Sequence, residues 1–149
     1  MKSLFDAALA DELRTRLEAL RADSRRQWGK MDVAQMLTHL SLSLEMALGD
    51  LKPPRQLIGI LIGRFVKPSI VNDKPMPRNS PTIKSAVVTE SRSFPDEQAR
   101  LRGLLHRFSV GGHAAMTSHP HQFFGRLTPE EWGVLQYKHI NHHLEQFGA

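Results

Sequence analysis

The chain has 149 residues, 40% of them hydrophobic and none of them cysteine, which allows one domain with a core and excludes disulfides, thiolate metal ligands and a cysteine nucleophile. The net charge of +5 is spread along the chain and balanced locally by acidic residues, which argues against nucleic acid as a partner. The longest apolar run, residues 57–66, contains Arg64 and is far shorter than the roughly 20 residues that cross a bilayer, so it predicts a buried or interfacial helix and no membrane partner.

The N-terminal segment predicts an amphipathic helix rather than a secretory signal. Charged residues run through it, so it lacks the uninterrupted apolar core of a signal peptide, and we expect a cytoplasmic protein. Ser3 is the predicted N-cap of this helix. Apolar residues then recur at the period of one helical face, at Phe5, Leu9, Leu13, Leu17 and Leu20.

A second helix is predicted from Asp32 to about Leu48. Asp32 stands three residues before Gln35, the spacing of an N-cap and its partner side chain, and Gly49 provides a stop. Residues 50–93 hold most of the prolines and predict a long connection, in which residues 56–66 are typical of a helix. Residues 85–89 are a candidate short strand.

Two further helices are predicted in the C-terminal half. One begins after Pro95, carries an apolar stripe and ends at the pair Gly111 and Gly112. The other has the start signals of an N-cap, a first-position proline and a capping-box glutamate, and the stop signal of a glycine, at Thr128, Pro129, Glu131 and Gly148. Four amphipathic helices with little strand signal predict an all-α protein, a four-helix bundle that forms a single domain over residues 1–149.

The last helix carries two histidines at a spacing suited to metal binding. His139 and His143 are four residues apart, hence about 40° apart around the helix axis and one turn apart along it, so both rings can approach one ion. Trp132 on the same face indicates that this face turns inward. His142 offers an alternative pair with His139 at a spacing of three. Ordinary helix histidines that bind no metal remain open as an alternative, because one spacing-four pair is a weak motif.

His39 supplies a third imidazole from the second helix. It lies at the edge of the apolar face of that helix, where a partly buried ring needs a polar partner. Three imidazoles would leave a fourth coordination position for water or substrate, as in catalytic rather than structural zinc sites. The alternative is a core histidine that is hydrogen-bonded to the backbone or to a neighbouring side chain.

Other polar and aromatic residues are weaker candidates. Glu45 and Glu145 are candidate general bases, although a helical glutamate is usually a solvated surface charge. His119 and His121 lie in a loop beside proline, where histidines are usually solvated, so we do not predict them as ligands. Four aromatic residues either line a substrate pocket or, as is more common, pack in the core: Trp28, Trp132, Phe123 and Phe124.

Two stretches of the sequence resemble the DinB-like (YfiT-like) superfamily of metal-dependent helical bundles, and within it an uncharacterised bacterial subfamily whose domain has no known function. The first stretch contains Trp28, Lys30, Met31 and the run QMLTHL at residues 35–40. The second is FGRLTPEEWGVLQYKHINHHLEQFG, residues 124–148. The second is the more specific because it matches at many fixed spacings, whereas residues 50–93 add little.

The resemblance implies a four-helix bundle with a long crossover between the second and third main helices. It carries over His39, His139 and His143 as the ligands of one divalent metal ion, for which three imidazoles favour zinc or nickel. Superfamily members include thiol-dependent transferases and a thiol-dependent isomerase. The implied function is therefore a metal-dependent hydrolase or thiol transferase that acts on a small molecule, with a low-molecular-weight thiol as a second cofactor.

The resemblance also implies a homodimer. The alternative function is a non-catalytic binding module, in which the apolar residues 57–66 form the dimer contact and the histidines only stabilise the core. A proton acceptor within hydrogen-bond reach of the open coordination position would favour the enzyme, and its absence would favour the module.

Overall fold

The computed structural model describes residues 1–72, 74–78, 80 and 86–149, and over these residues the protein is all-helical, as predicted. Five α-helices follow one another in the described residues: α1 (Ala7–Ala19), α2 (Val33–Leu48), α3 (Leu57–Ile70), α4 (Phe94–Gly111) and α5 (Pro129–Gln146). A short 3₁₀ helix, Gly112–Ala115, follows α4. None of the described helices is both long enough and apolar enough to cross a membrane.

The candidate strand at residues 85–89 is not formed in its described part. Ser85 lies outside the described residues, and Ala86 to Thr89 adopt no strand. The described residues contain one isolated antiparallel bridge, between His121 and Gly125.

Capping sets the starts of α2 and α5 where the sequence predicts them. The Asp32 carboxylate accepts the Gln35 backbone N–H while the Gln35 side chain accepts the Asp32 N–H, and Thr128 and Glu131 repeat this arrangement. The predicted cap of α1 is wrong. Asp6 caps it instead, because its carboxylate accepts two free N–H groups of the first turn, whereas the Ser3 hydroxyl accepts the N–H of Phe5, which lies before the helix.

The helices α1, α2, α4 and α5 enclose a hydrophobic core. α2 contacts both α4 and α5, and α1 contacts the same two helices. Apart from Leu4, which precedes α1, the largest fully buried core side chains come from all four helices: Leu13, Leu17, Met36, Leu37, Leu40, Leu44, Leu101, Phe108, Trp132, Ile140 and Leu144. Because α2 lies against α5, the edge of the α2 apolar face that carries His39 meets the inner face of α5.

The helix α3 packs differently, through two glycines. A Cβ atom added at Gly59 would lie 2.6 Å from the Cα of Phe123, and one added at Gly63 would overlap the carbonyl oxygen of Phe123. The side of α3 without these glycines leaves its large apolar residues exposed to solvent. The helix continues past the predicted end at residue 66 to Ile70, with Pro68 inside it, although proline lacks the N–H that would donate to the Arg64 carbonyl.

We expect Gly63→Ala to lower the free energy of unfolding by about 1–3 kcal/mol, the usual cost of overpacking. The added methyl group collides with backbone, which cannot move aside as a flexible side chain can. Gly103→Ala in α4 is the matched control, because its Cβ would meet nothing within 4 Å and should raise stability by about 0.5–1 kcal/mol. Urea unfolding followed by circular dichroism measures both changes. A Gly63→Ala protein as stable as wild type would contradict the close contact of α3.

Candidate metal centre

Three histidine rings from α2 and α5 meet at the edge of the core. The ring centroids of His39 and His139 are 4.8 Å apart, those of His39 and His143 are 4.9 Å apart, and those of His139 and His143 are 4.8 Å apart. One ring nitrogen of each residue lies within 4.8 Å of the corresponding nitrogens of the other two. The structure therefore brings together the three residues that the sequence singles out, at distances from which they can hold a metal ion.

Each of these rings has a hydrogen-bond partner at Nδ1. His39 Nδ1 donates to the Ala86 carbonyl oxygen at 2.7 Å. His143 Nδ1 donates to Gln146 Oε1 at 2.7 Å, and the Gln146 amide nitrogen donates in turn to the Trp28 carbonyl oxygen at 2.8 Å. Because these oxygens accept the Nδ1 protons, the neutral rings of His39 and His143 keep a lone pair on Nε2, the atom available to a metal ion.

The contact between His39 and His139 depends on which nitrogen of His139 carries the proton. Their Nε2 atoms are 2.8 Å apart, and His139 Nδ1 lies 3.2 Å from Ser43 Oγ. With a proton on Nε2, His139 donates to His39 and accepts from the Ser43 hydroxyl; with the proton on Nδ1, it donates to Ser43 instead. The Ser43 hydroxyl can therefore hydrogen-bond to His139 in both forms. It accepts from Nδ1 when Nε2 is free to bind a metal, and it donates to Nδ1 when Nε2 carries the proton.

Burial keeps the cluster uncharged. Burial lowers the pKa of His39, against the opposing effect of the Ala86 hydrogen bond, and lowers the pKa of His139 well below 6.5, with His39 and His143 adding to the effect. The pKa of His143 falls to about 3, chiefly through burial and then through His39. Neutral imidazole is the form that binds metal. The donor set of three neutral nitrogens, without thiolate, fits zinc or nickel.

A cavity of about 720 Å³ opens beside the three rings. This volume lies within the usual range for small-molecule sites. Trp28 and Phe124 contribute aromatic surface to its wall, whereas Trp132 is buried in the core and Phe123 packs against α3. Among the described lining residues there is no aspartate or glutamate.

The other histidines lie outside the cluster. His142 lines the same cavity, with its ring centroid 5.2 Å from that of His143 and 5.7 Å from that of Trp28. His119 lies apart, with Nε2 3.3 Å from the Pro53 carbonyl oxygen.

The expectation of a solvated side chain is wrong for His121. Its Nδ1 accepts the backbone N–H groups of Phe123 and Phe124, both at 3.1 Å, and its buried ring lines the cavity. Burial, followed by the charge of Arg55, lowers the pKa of His121 to about 4. His121 is therefore a neutral member of the cavity wall.

The two candidate general bases lie away from the cavity. Glu45 accepts from Arg100 of α4 at 2.7 Å, and Glu145 is exposed and accepts from Asn141 at 2.9 Å. Neither side chain lines the cavity. A general-base role for either glutamate is not supported by these positions.

Three partners of the histidine rings were not identified from the sequence. Gln146 follows His143 by three residues and lies on the same face of α5 as the ring that it contacts, so this spacing was visible in the sequence. Ser43 lies on α2 and contacts His139 of α5, a contact between two helices that no spacing in the sequence shows. The Ala86 carbonyl carries no such signal, because it is a backbone group in a proline-rich connection.

None of the comparisons with known proteins assigns a function to this chain. A family model described as "Protein of unknown function (DUF1569)" matches residues 2–149. No curated protein and no solved structure matches the chain. Since the family match spans almost the whole sequence, this chain belongs to the DUF1569 family.

Proposed function

We propose that this protein binds one divalent metal ion through His39, His139 and His143 and uses it to activate a nucleophile toward a small molecule. The observation that carries the proposal is the convergence of three neutral imidazoles beside a cavity of small-molecule size. An ion held by three neutral nitrogens lowers the pKa of a bound water or thiol toward neutrality. The reaction is accordingly a hydrolysis or a thiol transfer.

The chain's own residues orient the ligands and shape the site. The Ala86 carbonyl, Ser43 and Gln146 contact the Nδ1 atoms of the three rings, which restricts ring rotation. Met31 and Leu135 line part of the wall with apolar side chains. No carboxylate is present in the described lining to remove a proton from water, which by the criterion given above counts toward the non-catalytic module. For the enzyme it favours a low-molecular-weight thiol as the second cofactor, because a thiol ionises more readily than water.

We also propose that the four core helices form a bundle of the DinB type. The order of the elements supports this: α1 and α2 precede the long connection that contains α3, and α4 and α5 follow it. The three histidines come from α2 and α5, which agrees with the ligand positions that the family resemblance implies. The bundle would form a single domain over residues 1–149 of a cytoplasmic protein.

Metal content of the purified, untagged protein tests the proposal. We expect about one zinc or nickel ion per chain, and cobalt(II) added to the stripped protein should give the visible spectrum of a nitrogen-rich site that changes when a thiol is added. Protein that is purified without metal and takes up no added zinc, nickel or cobalt would overturn it.

A different observation supports a second candidate function, a non-catalytic module that forms a homodimer through α3. Six large apolar side chains of this helix are at least 40% exposed: Leu57, Ile58, Ile60, Leu61, Ile62 and Phe65. An exposed apolar patch of this kind usually marks a contact surface. The proposed contact is with α3 of a second copy of the chain.

Light scattering after size-exclusion chromatography tests the dimer. We expect twice the chain mass of 16.9 kDa for the wild type and the single-chain mass for Leu61→Glu. Val110→Glu, at an exposed apolar position of α4, should remain dimeric and serves as the control. A metal-free dimer would favour the module over the enzyme, and a wild-type monomer would exclude the α3 contact.

A further inference from the structure

We propose that the cavity beside the three histidines binds an organic anion, whose negative group is held by Lys30 and Arg78. The inference rests on the proposed function for the reaction that the bound molecule undergoes. The charge preference follows separately from the residues of the cavity wall.

The described wall of the cavity contains positive charge and no negative charge. Lys30 lines it, and its described residues include no aspartate or glutamate. A cleft lined by charge of one sign raises the local concentration of ligands of the opposite sign.

Arg78 adds a second positive group next to this wall, although it is not itself a lining residue. Its guanidinium lies over the Trp28 ring, 4.1 Å from the ring centroid, and its charge acts on His142; both of these residues line the cavity. Met76 and Ser80, on either side of Arg78 in the chain, also line it. Stacking on an aromatic ring holds the guanidinium plane while its N–H groups stay available for a carboxylate or phosphate.

Among the described residues, neither cation has an acidic partner. In the described part of the chain, Lys30 and Arg78 form no ion pair with an acidic side chain, whereas Arg100 and Arg107 pair with Glu45 and Asp50. An anionic ligand would therefore gain two charge-assisted contacts without breaking an existing pair.

The rest of the wall defines the body of the ligand. Trp28 and Phe124 present ring surface, and Met31, Val88 and Leu135 present apolar surface. Such a wall favours a molecule with an apolar or aromatic body and a carboxylate or phosphate head. The cavity of about 720 Å³ accommodates a small metabolite rather than a chain of a polymer.

Calorimetric titration with matched probes tests this proposal. The probes are 3-phenylpropionate, its neutral amide 3-phenylpropionamide, and phenyl phosphate, each added to the full-length protein with and without zinc. We expect the carboxylate to bind at least about 10-fold more tightly than the amide in both states. A phosphate preferred over the carboxylate would assign the head group as phosphate, which also supports the proposal.

Variants test whether Lys30 and Arg78 cause the preference for the anion. Replacing both Lys30 and Arg78 with alanine should reduce the preference for the anion to less than about 3-fold, whereas Lys52→Ala with Arg102→Ala, which removes the same charge at exposed positions outside the cavity, should preserve it. Unchanged thermal unfolding of both double variants excludes a folding defect.

Three results would overturn the proposal: equal affinity for the carboxylate and the amide, a preference that survives the loss of Lys30 and Arg78, or no binding of any probe at about 10 mM. Because the titration is also made without metal, these results are independent of the metal-content test. Protein that binds zinc but discriminates no probe would leave the proposed function standing without this ligand class.

Discussion

Replacement of His139 with alanine is expected to weaken zinc binding on the order of 100- to 1000-fold, roughly the share of one ligand in the affinity of a zinc site. His139 is the ring closest to His39, with 2.8 Å between their Nε2 atoms, and its loss leaves two nitrogens on opposite helices. Two imidazoles bind zinc weakly. Competition with a chromophoric chelator, using untagged protein, measures the affinity directly.

His106→Ala is the control for this experiment. His106 is an exposed histidine of α4 that lies outside the cluster, so its removal should leave zinc affinity unchanged. Far-ultraviolet circular dichroism should show the same helix content for both variants and the wild type. If His139→Ala fails to fold, His139→Asn, which keeps a polar side chain of moderate size, replaces it. Zinc held by a folded variant with wild-type affinity would exclude His139 as a ligand.

The helix starts were predictable because their signals are local. At α2 and α5 a capping side chain and its partner lie three residues apart in the sequence, so no distant contact is needed to specify them. The start of α1 shows the limit of this approach. Ser3 and Asp6 are both common N-cap residues, and only the observed hydrogen bonds select Asp6.

The exposure of α3 could not be predicted, because it depends on packing between distant segments. Its composition suits a buried helix as well as an interfacial one. The two glycines decide the outcome, since they allow the helix backbone to approach the loop at Phe123 and turn the bulky residues away from the protein. Gly59 and Gly63 are far from Phe123 in the sequence, so this contact could not be predicted from local patterns.

The part of the candidate site that depends on local spacing was predictable, and the part that depends on contacts between distant segments was not. The spacing of His139 and His143 is local and placed both rings on one face of α5. The apolar faces of α2 and α5 indicated that His39 lies near these two rings. His121 was misjudged because the bridge between His121 and Gly125 folds its loop back and buries the ring. The cavity itself arises from residues of several distant segments, which no local pattern specifies.

We expect the metal-free protein to lose stability steeply as the pH falls from 6.5 to 5. Four buried histidines have folded-state pKa values below 6.5: those of His121 and His143 are lowered to about 4 and about 3, and those of His39 and His139 are also lowered, in each case chiefly by burial. Below pH 6.5 the unfolded chain binds protons at these rings and the folded protein does not. The free energy of unfolding therefore decreases as the pH falls, and the loss ends only below the folded-state pKa values.

The size of the loss makes the effect measurable by urea unfolding in the presence of a chelator. At pH 5 each histidine that stays neutral in the folded state contributes about 2 kcal/mol of lost stability. His121 and His143, with pKa values of about 4 and about 3, together contribute about 4 kcal/mol, a large fraction of the stability of a small domain, and the lowered pKa values of His39 and His139 act in the same direction. Carboxylates titrate mainly below this range. His143→Asn should reduce the slope of stability against pH by about one proton. Equal stability of the wild-type protein at pH 7 and pH 5 would mean that the rings take up protons in the folded state. A cluster that tolerates several positive charges would be poorly suited to a metal ion.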